Sequence, residues 1–221
     1  MTTTVRVWDL PTRVFHWALA LCFAGLLATG YSGGAWMDWH FRLGYTMLGL
    51  LLFRLVWGLV GGHWSRFASF AYGFAATKRY FGSPPQARLY VGHSPLGAIS
   101  VFAMLLMLVL QVSSGLLSDD EIAFAGPLTQ FVSSAWVRRA TFYHKDIGQL
   151  VLVALAVLHI LAIGFYVFKK RDNLLKPMLT GDKPWPEPVV GSRDDARSRI
   201  GAALLALAVA LLIWFLRGLV A

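Results

Sequence analysis

Five uninterrupted apolar runs, each close to 20 residues long, dominate what this chain can become. They extend from about Val14 to Tyr31, Phe41 to Val60, Leu96 to Leu117, Ile147 to Phe168 and Ile200 to Leu219. A helix that crosses the hydrocarbon core of a bilayer needs about 20 mostly apolar residues. Runs this long and continuous lack the short alternation of strands. Hydrophobic residues make up 57% of the 221-residue chain and charged residues only 14%, against about 25% charged in an ordinary soluble domain. The expected fold class is an all-α membrane protein with five transmembrane helices, and the lipid bilayer is its first partner.

The connections between the runs differ in charge. One side holds Arg6, Arg13, Arg66, Lys78, Arg79, Arg88, Lys169, Lys170, Arg171, Lys176, Lys183, Arg193, Arg197 and Arg199. The other side has Arg42, Arg138, Arg139, Lys145 and Arg217, and Arg54 lies inside a run. The positive-inside rule then puts the N-terminus in the cytoplasm and, after five crossings, Ala221 on the outer side of the membrane. This accounts for the net charge of +9 without nucleic acid as a partner. A cleaved signal peptide is disfavoured, because the first run is long, carries Phe15, Trp17 and Phe23, and includes His16. Tyr31, Trp36, Trp39, Trp57, Trp64 and Tyr80 fall near run ends, where an aromatic belt is expected. Arg66–Phe81 mixes aromatic and basic residues and is expected to lie flat on the inner surface. Pro84-Pro85 and Lys183–Pro188 read as extended connectors.

Candidate chemistry rests on histidine. The single cysteine, Cys22, excludes disulfide scaffolds, thiolate zinc sites, iron–sulfur clusters and covalent c-type haem. Ionisable side chains inside a membrane are costly and mark functional sites. His144 and His159 are separated by about 22 Å along a helix and by only about 60° of rotation. They face one side at two depths, so one metal ion cannot use both. By depth, His16 pairs with His159 toward the inside and His40 with His144 toward the outside. HFRLG at His40–Gly44 and HKDIG at His144–Gly148 share a glycine at i+4 on the histidine's face, where Gly44 and Gly148 leave room for a flat macrocycle. Two non-covalent haems fit this pattern best, each iron held by two imidazoles. Arg54, 14 residues after His40, reaches the inner level on the same face and suits a haem propionate, as does Arg13. His93 precedes the third run and could bond a propionate or cap its helix, and His63 reads as structural. Ser118–Glu121 reads as a solvated acidic loop or, more sharply, as a docking patch for a basic redox partner.

These pieces resemble one family. VWDLPTRVFHW (Val7–Trp17), HFRLGY and FRLVWGLVG (His40–Gly61), GHSPLGA (Gly92–Ala98), SGLLSDDE (Ser114–Glu121), HKDIG, VLHILA and NLLKPMLTGDK (Asn173–Lys183) are similar to motifs of the bacterial cytochrome b561 and nickel–iron hydrogenase b-type cytochrome family. The resemblance implies a di-haem domain over residues 1–183 with a four-helix core. It places haem b ligands at His16, His40, His144 and His159, implies quinone or quinol as the lipid-side partner, and implies a periplasmic c-type cytochrome or hydrogenase on the outer side. Residues 184–221, a linker and the fifth helix, lie outside the short members. Ser94 and Lys145 depart from the common Asn and Glu. Three functions remain open at this point. They are quinone-linked electron transfer, a superoxide-to-quinone oxidoreductase or hydrogenase cytochrome subunit, and a transporter relaying protons through histidines. Homo-oligomerisation is also open.

Overall fold

The computed structural model describes residues 3–82 and 90–220, so Pro84-Pro85 and Arg88 lie outside the described residues. The chain is mostly helical. Five helical segments among the described residues, 10–32, 34–60, 95–116, 134–168 and 196–218, are long and apolar enough to cross a membrane. The expected class of multi-helix membrane protein holds. The named elements are β1 (Thr3–Arg6), α1 (Leu10–Ser32), α2 (Met37–Val60), α3 (Phe74–Gly82), α4 (Pro95–Leu116), α5 (Ser134–Phe142), α6 (Gln149–Phe168), α7 (Leu175–Thr180), β2 (Asp182–Trp185) and α8 (Ala196–Val220). A π-helical turn, Tyr143–Gly148, joins α5 to α6. The fourth span therefore begins at Ser134, well before the apolar run at Ile147. Arg138 and Arg139 in α5 interrupt the hydropathy but not the helix.

The chain forms two compact units. Residues 1–16, 54–103 and 156–204 make the first, and 17–53, 104–155 and 205–221 the second. Helices α1, α2, α4, α6 and α8 divide their residues between them.

The first unit is organised by its polar ends. Strand β1 pairs antiparallel with β2, Thr3 opposite Trp185 and Arg6 opposite Asp182. Val5, Val7, Trp8, Val91 and Trp185 form the core beside this ribbon. Asp9, fully buried, caps α1: its Oδ1 accepts the Thr12 N–H at 2.8 Å. Its Oδ2 accepts from Gly62 N and Ser65 Oγ, both at 2.9 Å, and the Trp57 indole donates to the same carboxylate at 3.3 Å. One carboxylate thus ties the start of α1 to the end of α2, and helix N-terminal N–H groups favour that charge. Residues 184–195 are fastened as well. Ser192 donates through Oγ to Val7 O (2.7 Å) and through N to Arg6 O (2.6 Å). Asp194 accepts from Arg6, Arg199 and Leu10 N. Gly181 ends α7 at φ +91°, a left-handed conformation that glycine adopts without strain, and its carbonyl accepts the Val7 and Trp8 N–H groups.

The aromatic residues divide between core and surface, and the expected place of Trp57 needs correction. Trp57 is buried against Asp9 and is not part of an interfacial belt. In the stretch expected to lie flat on the surface, Phe70 is buried among Phe67, His93 and Phe102, whereas Phe74 of α3 is exposed. Tyr31, Trp36 and Trp39 are exposed as expected.

The second unit has a wholly apolar core of Cys22, Met47, Leu51, Leu108 and Leu152, contributed by α1, α2, α4 and α6. Helix α8 packs here through Val209 and Ile213 over Gly49, and the Arg217 guanidinium lies 5.0 Å from the Tyr45 ring centre. Its opposite side, with Leu204 in the first unit and Leu211 and Trp214 in the second, is exposed, as lipid contact requires.

Candidate functional site

Four of the six histidines meet as two pairs, one in each unit. In the first unit the ring centres of His16 and His159 are 6.5 Å apart at an interplanar angle of 49°. In the second, His40 and His144 are 6.1 Å apart and nearly perpendicular, at 89°. Among the described residues no group of three or more His, Cys, Asp or Glu gathers to hold a metal ion.

The second-unit pair is seated in two matching cradles. His40 Nδ1 lies 3.0 Å from Leu26 O and 3.3 Å from Thr29 Oγ1, both on α1. His144 Nδ1 lies 2.9 Å from Gln111 O and 3.4 Å from Ser114 Oγ, both on α4. Each ring donates Nδ1–H to a main-chain carbonyl at position i, beside a hydroxyl at i+3. Each also rests on a glycine at i+4. A Cβ at Gly30 would stand 3.2 Å from the His40 ring, and one at Gly115 2.7 Å from the His144 ring. The hydrogen bond fixes the tautomer and leaves Nε2 as the free lone pair. LLATG (Leu26–Gly30) and QVSSG (Gln111–Gly115) carry this pattern. Reading the histidines alone missed it. A hydroxyl followed by glycine near the end of two apolar runs was the available signal.

The other predicted residues fall as follows. A Cβ at Gly44 would meet nothing within 4 Å among the described residues, so that position is open. Gly148 is closed: the Gln111 side-chain amide lies against it. Arg54 is 4% exposed, its guanidinium carbon lies 4.5 Å from the Phe67 ring centre, and its Nη1 has no hydrogen-bond partner among the described residues. Arg13 donates through Nη1 to Leu179 O, and its buried Nε has no acceptor. His93 lies between Trp8 and Phe70, with ring centres 4.7 and 4.4 Å away, and its buried Nδ1 is unpartnered. Burial, with Arg54 and His159 nearby, pushes the His93 imidazole down to about 3, so the ring is neutral at physiological pH. His63 packs edge-on to Trp64 and faces Arg66, a surface arrangement apart from both pairs. In the acidic loop, Asp120 Oδ1 accepts three main-chain N–H groups, of Ile122, Ala123 and Phe124, which hold its carboxyl below the usual range. Asp119 accepts from Glu121 N. Two of the three acids therefore shape the turn.

A family model for prokaryotic cytochrome b561 matches residues 7–181, most of the chain. The chain belongs to the prokaryotic cytochrome b561 family. It is similar to probable Ni/Fe-hydrogenase B-type cytochrome subunits from several bacteria. That of Bradyrhizobium diazoefficiens is 24% identical over 216 residues, covering 81% of this chain and 86% of the relative. That of Azotobacter vinelandii is 26% identical over 215 residues, covering 81% and 88%. The hydrogenase 1 subunit of Escherichia coli K12 is 29% identical over 136 residues, covering 49% and 57%. No solved structure matches the chain. As a cytochrome b561 family member the chain is a multi-pass membrane b-type cytochrome of electron transfer, and its cofactor is haem b.

The histidine pairs of this cytochrome suit that cofactor. An imidazole nitrogen sits about 2 Å from a metal ion, and about 1.1 Å from its own ring centre, so two imidazoles across one iron have centres about 6.2 Å apart. A direct ring-to-ring hydrogen bond would bring the centres to about 5 Å. The observed 6.1 and 6.5 Å match the first case. The unpaired Arg54 Nη1 and Arg13 Nε add buried N–H donors of the kind that haem carboxylates need, and the unpartnered His93 Nδ1 adds a buried polar nitrogen.

Proposed function

We propose that this cytochrome carries two haems b and passes electrons between quinone or quinol in the bacterial inner membrane and a periplasmic redox partner. His16 and His159 hold one haem, and His40 and His144 the other. Held by two histidines at each site, the haem would supply one-electron chemistry, and a paired-imidazole site would favour electron transfer over oxygen binding. The protein's residues orient and tune. His40 and His144 keep Nε2 for the iron by giving Nδ1–H to Leu26 O and Gln111 O. Arg54 and Arg13 offer cationic donors to propionates, and neutral His93 a further polar contact, beside the His16 pair. Gly44, one helical turn after His40, is open among the described residues. Basic residues concentrated on one side support a cytoplasmic N-terminus and a periplasmic C-terminus.

The observation that carries this reading is the pair of ring separations, each the length of an imidazole–iron–imidazole unit. Alkaline pyridine spectra of the purified protein are expected to give two haems b per chain. One haem, or a colourless protein as a histidine proton relay requires, overturns it. His159→Ala is expected to remove one haem and leave the other. The names of the relatives favour a hydrogenase over a c-type cytochrome as the outer partner. Co-purification from native membranes decides between them: a stoichiometric hydrogenase supports the first, a c-type cytochrome the second.

A further inference from the structure

Residue 111 grips His144 twice. Its main-chain carbonyl accepts the ring Nδ1–H at 2.9 Å, and its side-chain Nε2 donates to the His144 carbonyl at 2.9 Å. The second bond sits at the π-helical turn Tyr143–Gly148, where an i→i+5 pattern replaces the regular helical ladder. Among the described residues the hydrogen bonds of His40 to α1 come through its ring, without a matching side-chain hold on its main chain. The Gln111 side chain reaches the His144 carbonyl by crossing Gly148, where any Cβ would collide with the amide oxygen. That oxygen is itself buried without a hydrogen-bond partner among the described residues, so the amide is held there by its donor side and by packing. This gives the glycine of HKDIG a reason other than room for a macrocycle. Gln111, His144 and Gly148 form one mechanical unit.

We propose that Gln111 is the positioning residue for His144, clamping ring and main chain together so that its imidazole stands perpendicular to that of His40. The inference rests on the two-haem reading above. The clamp acts on two measurable properties. Crossed imidazole planes donate π density into different iron d orbitals, leave those orbitals nearly degenerate, and make the ferric signal strongly anisotropic. The 89° pair is expected to give that signal, and the 49° pair a more rhombic one. A firm Nδ1–H···O=C bond also raises imidazole basicity and stabilises the ferric state. Loosening it makes that haem easier to reduce.

The test uses the purified full-length cytochrome with both haems. Gln111→Met keeps the side-chain length and removes the donor. Gly148→Ala displaces the amide without changing Gln111. Each is expected to shift the strongly anisotropic electron paramagnetic resonance signal toward the rhombic form. Each is also expected to raise the reduced-to-oxidised ratio of that haem about fivefold at fixed potential, roughly 40 mV for a one-electron couple. The other haem serves as an internal control and stays unchanged. The double variant is expected to match the singles rather than add to them. If Gln111→Met does not accumulate, Gly148→Ala carries the test. Unmoved signals and potentials, or equal shifts in both haems, overturn the positioning role. His144→Ala separates the two ideas. If it abolishes the anisotropic signal while both variants leave that signal unmoved, the ligand assignment stands and the clamp is refuted. If it leaves the signal intact, the ligand assignment is wrong and the clamp falls with it.

Discussion

Gly115→Ala is a one-carbon perturbation aimed at a single bond. The new Cβ would stand 2.7 Å from His144 Cε1, whereas carbon atoms rest about 3.5–4.0 Å apart. The ring must therefore retreat by roughly 0.8 Å or rotate away from Gln111 O, and rotation forfeits a hydrogen bond worth about 1 kcal/mol. Metal–ligand bonds tolerate about 0.2 Å. A retreat several times larger is expected to detach His144 and leave one haem with a single imidazole. Gly30→Ala, on the other cradle, is milder. Its Cβ would meet the His40 ring at 3.2 and 3.3 Å, so a shift of a few tenths of an ångström relieves it. Absorbance and ferric resonance spectra of the two variants, with haem counted per chain, give the comparison. Gly115→Ala is expected to convert one low-spin haem to high-spin or to lose it. Gly30→Ala should keep both haems low-spin. If Gly115→Ala retains two unperturbed low-spin haems, the ring of His144 does not rest on α4 in the working protein.

Three other outcomes follow from the first unit. Asp9→Asn keeps one acceptor for Thr12 but turns an amide toward Gly62 N–H and Ser65 Oγ; the stranded donor is expected to cost about 2 kcal/mol, read as a lowered unfolding midpoint in detergent, and an unchanged midpoint refutes the anchor. Arg54→Leu separates a haem partner from a mere positive flank: loss of a charge-assisted bond should speed haem loss at the His16 pair about tenfold, whereas removal of an uncompensated buried cation would instead stabilise the protein. Burial opposes ionisation of Asp194, but Arg199, the Leu10 N–H and Arg6 outweigh it and hold the carboxyl below its usual range. Its stabilising contribution is therefore present above the unfolded Asp value, about 3.9, and is lost as pH falls below that. Unfolding followed between pH 6 and 3 should steepen at the acid end, and Asp194→Asn should flatten that slope.

The long helices were legible because twenty apolar residues have few alternatives in a membrane. The histidine pairing was legible because helical rise converts sequence spacing into depth. The π-helical turn was not legible. It arises where Gln111, 33 residues from His144, satisfies the His144 carbonyl, and no local periodicity encodes that partner. The β1–β2 ribbon escaped for a similar reason. TTVR and DKPW are four-residue segments, separated by most of the chain, without alternation strong enough to announce a strand. Trp57 read as interfacial by position, yet its indole N–H is taken by a carboxylate 48 residues away. Sequence patterns report which solvent a segment faces. They do not report which distant polar atom completes its hydrogen bonds.

The two histidine pairs have different surroundings, and on the two-haem reading this would order their potentials. At the His40 pair both imidazoles give Nδ1–H to neutral carbonyls, so each ring becomes more basic and favours ferric iron. Near the His16 pair lie Arg54, which with His159 neighbours His93, and Arg13, three residues before His16 on α1; the Arg54 Nη1 and Arg13 Nε are buried without a hydrogen-bond partner among the described residues. Cations in a poorly screened site disfavour the extra positive charge of the ferric state. On the two-haem reading, the haem that His16 and His159 would hold should therefore be reduced at the higher potential. A redox titration resolving two components, repeated on His159→Ala, tests the order. Removal of the high-potential component agrees with it. Removal of the low-potential component means that the guanidinium groups are neutralised by the haem's own carboxylates, and that the carbonyl bonds at the His40 pair do not set the difference.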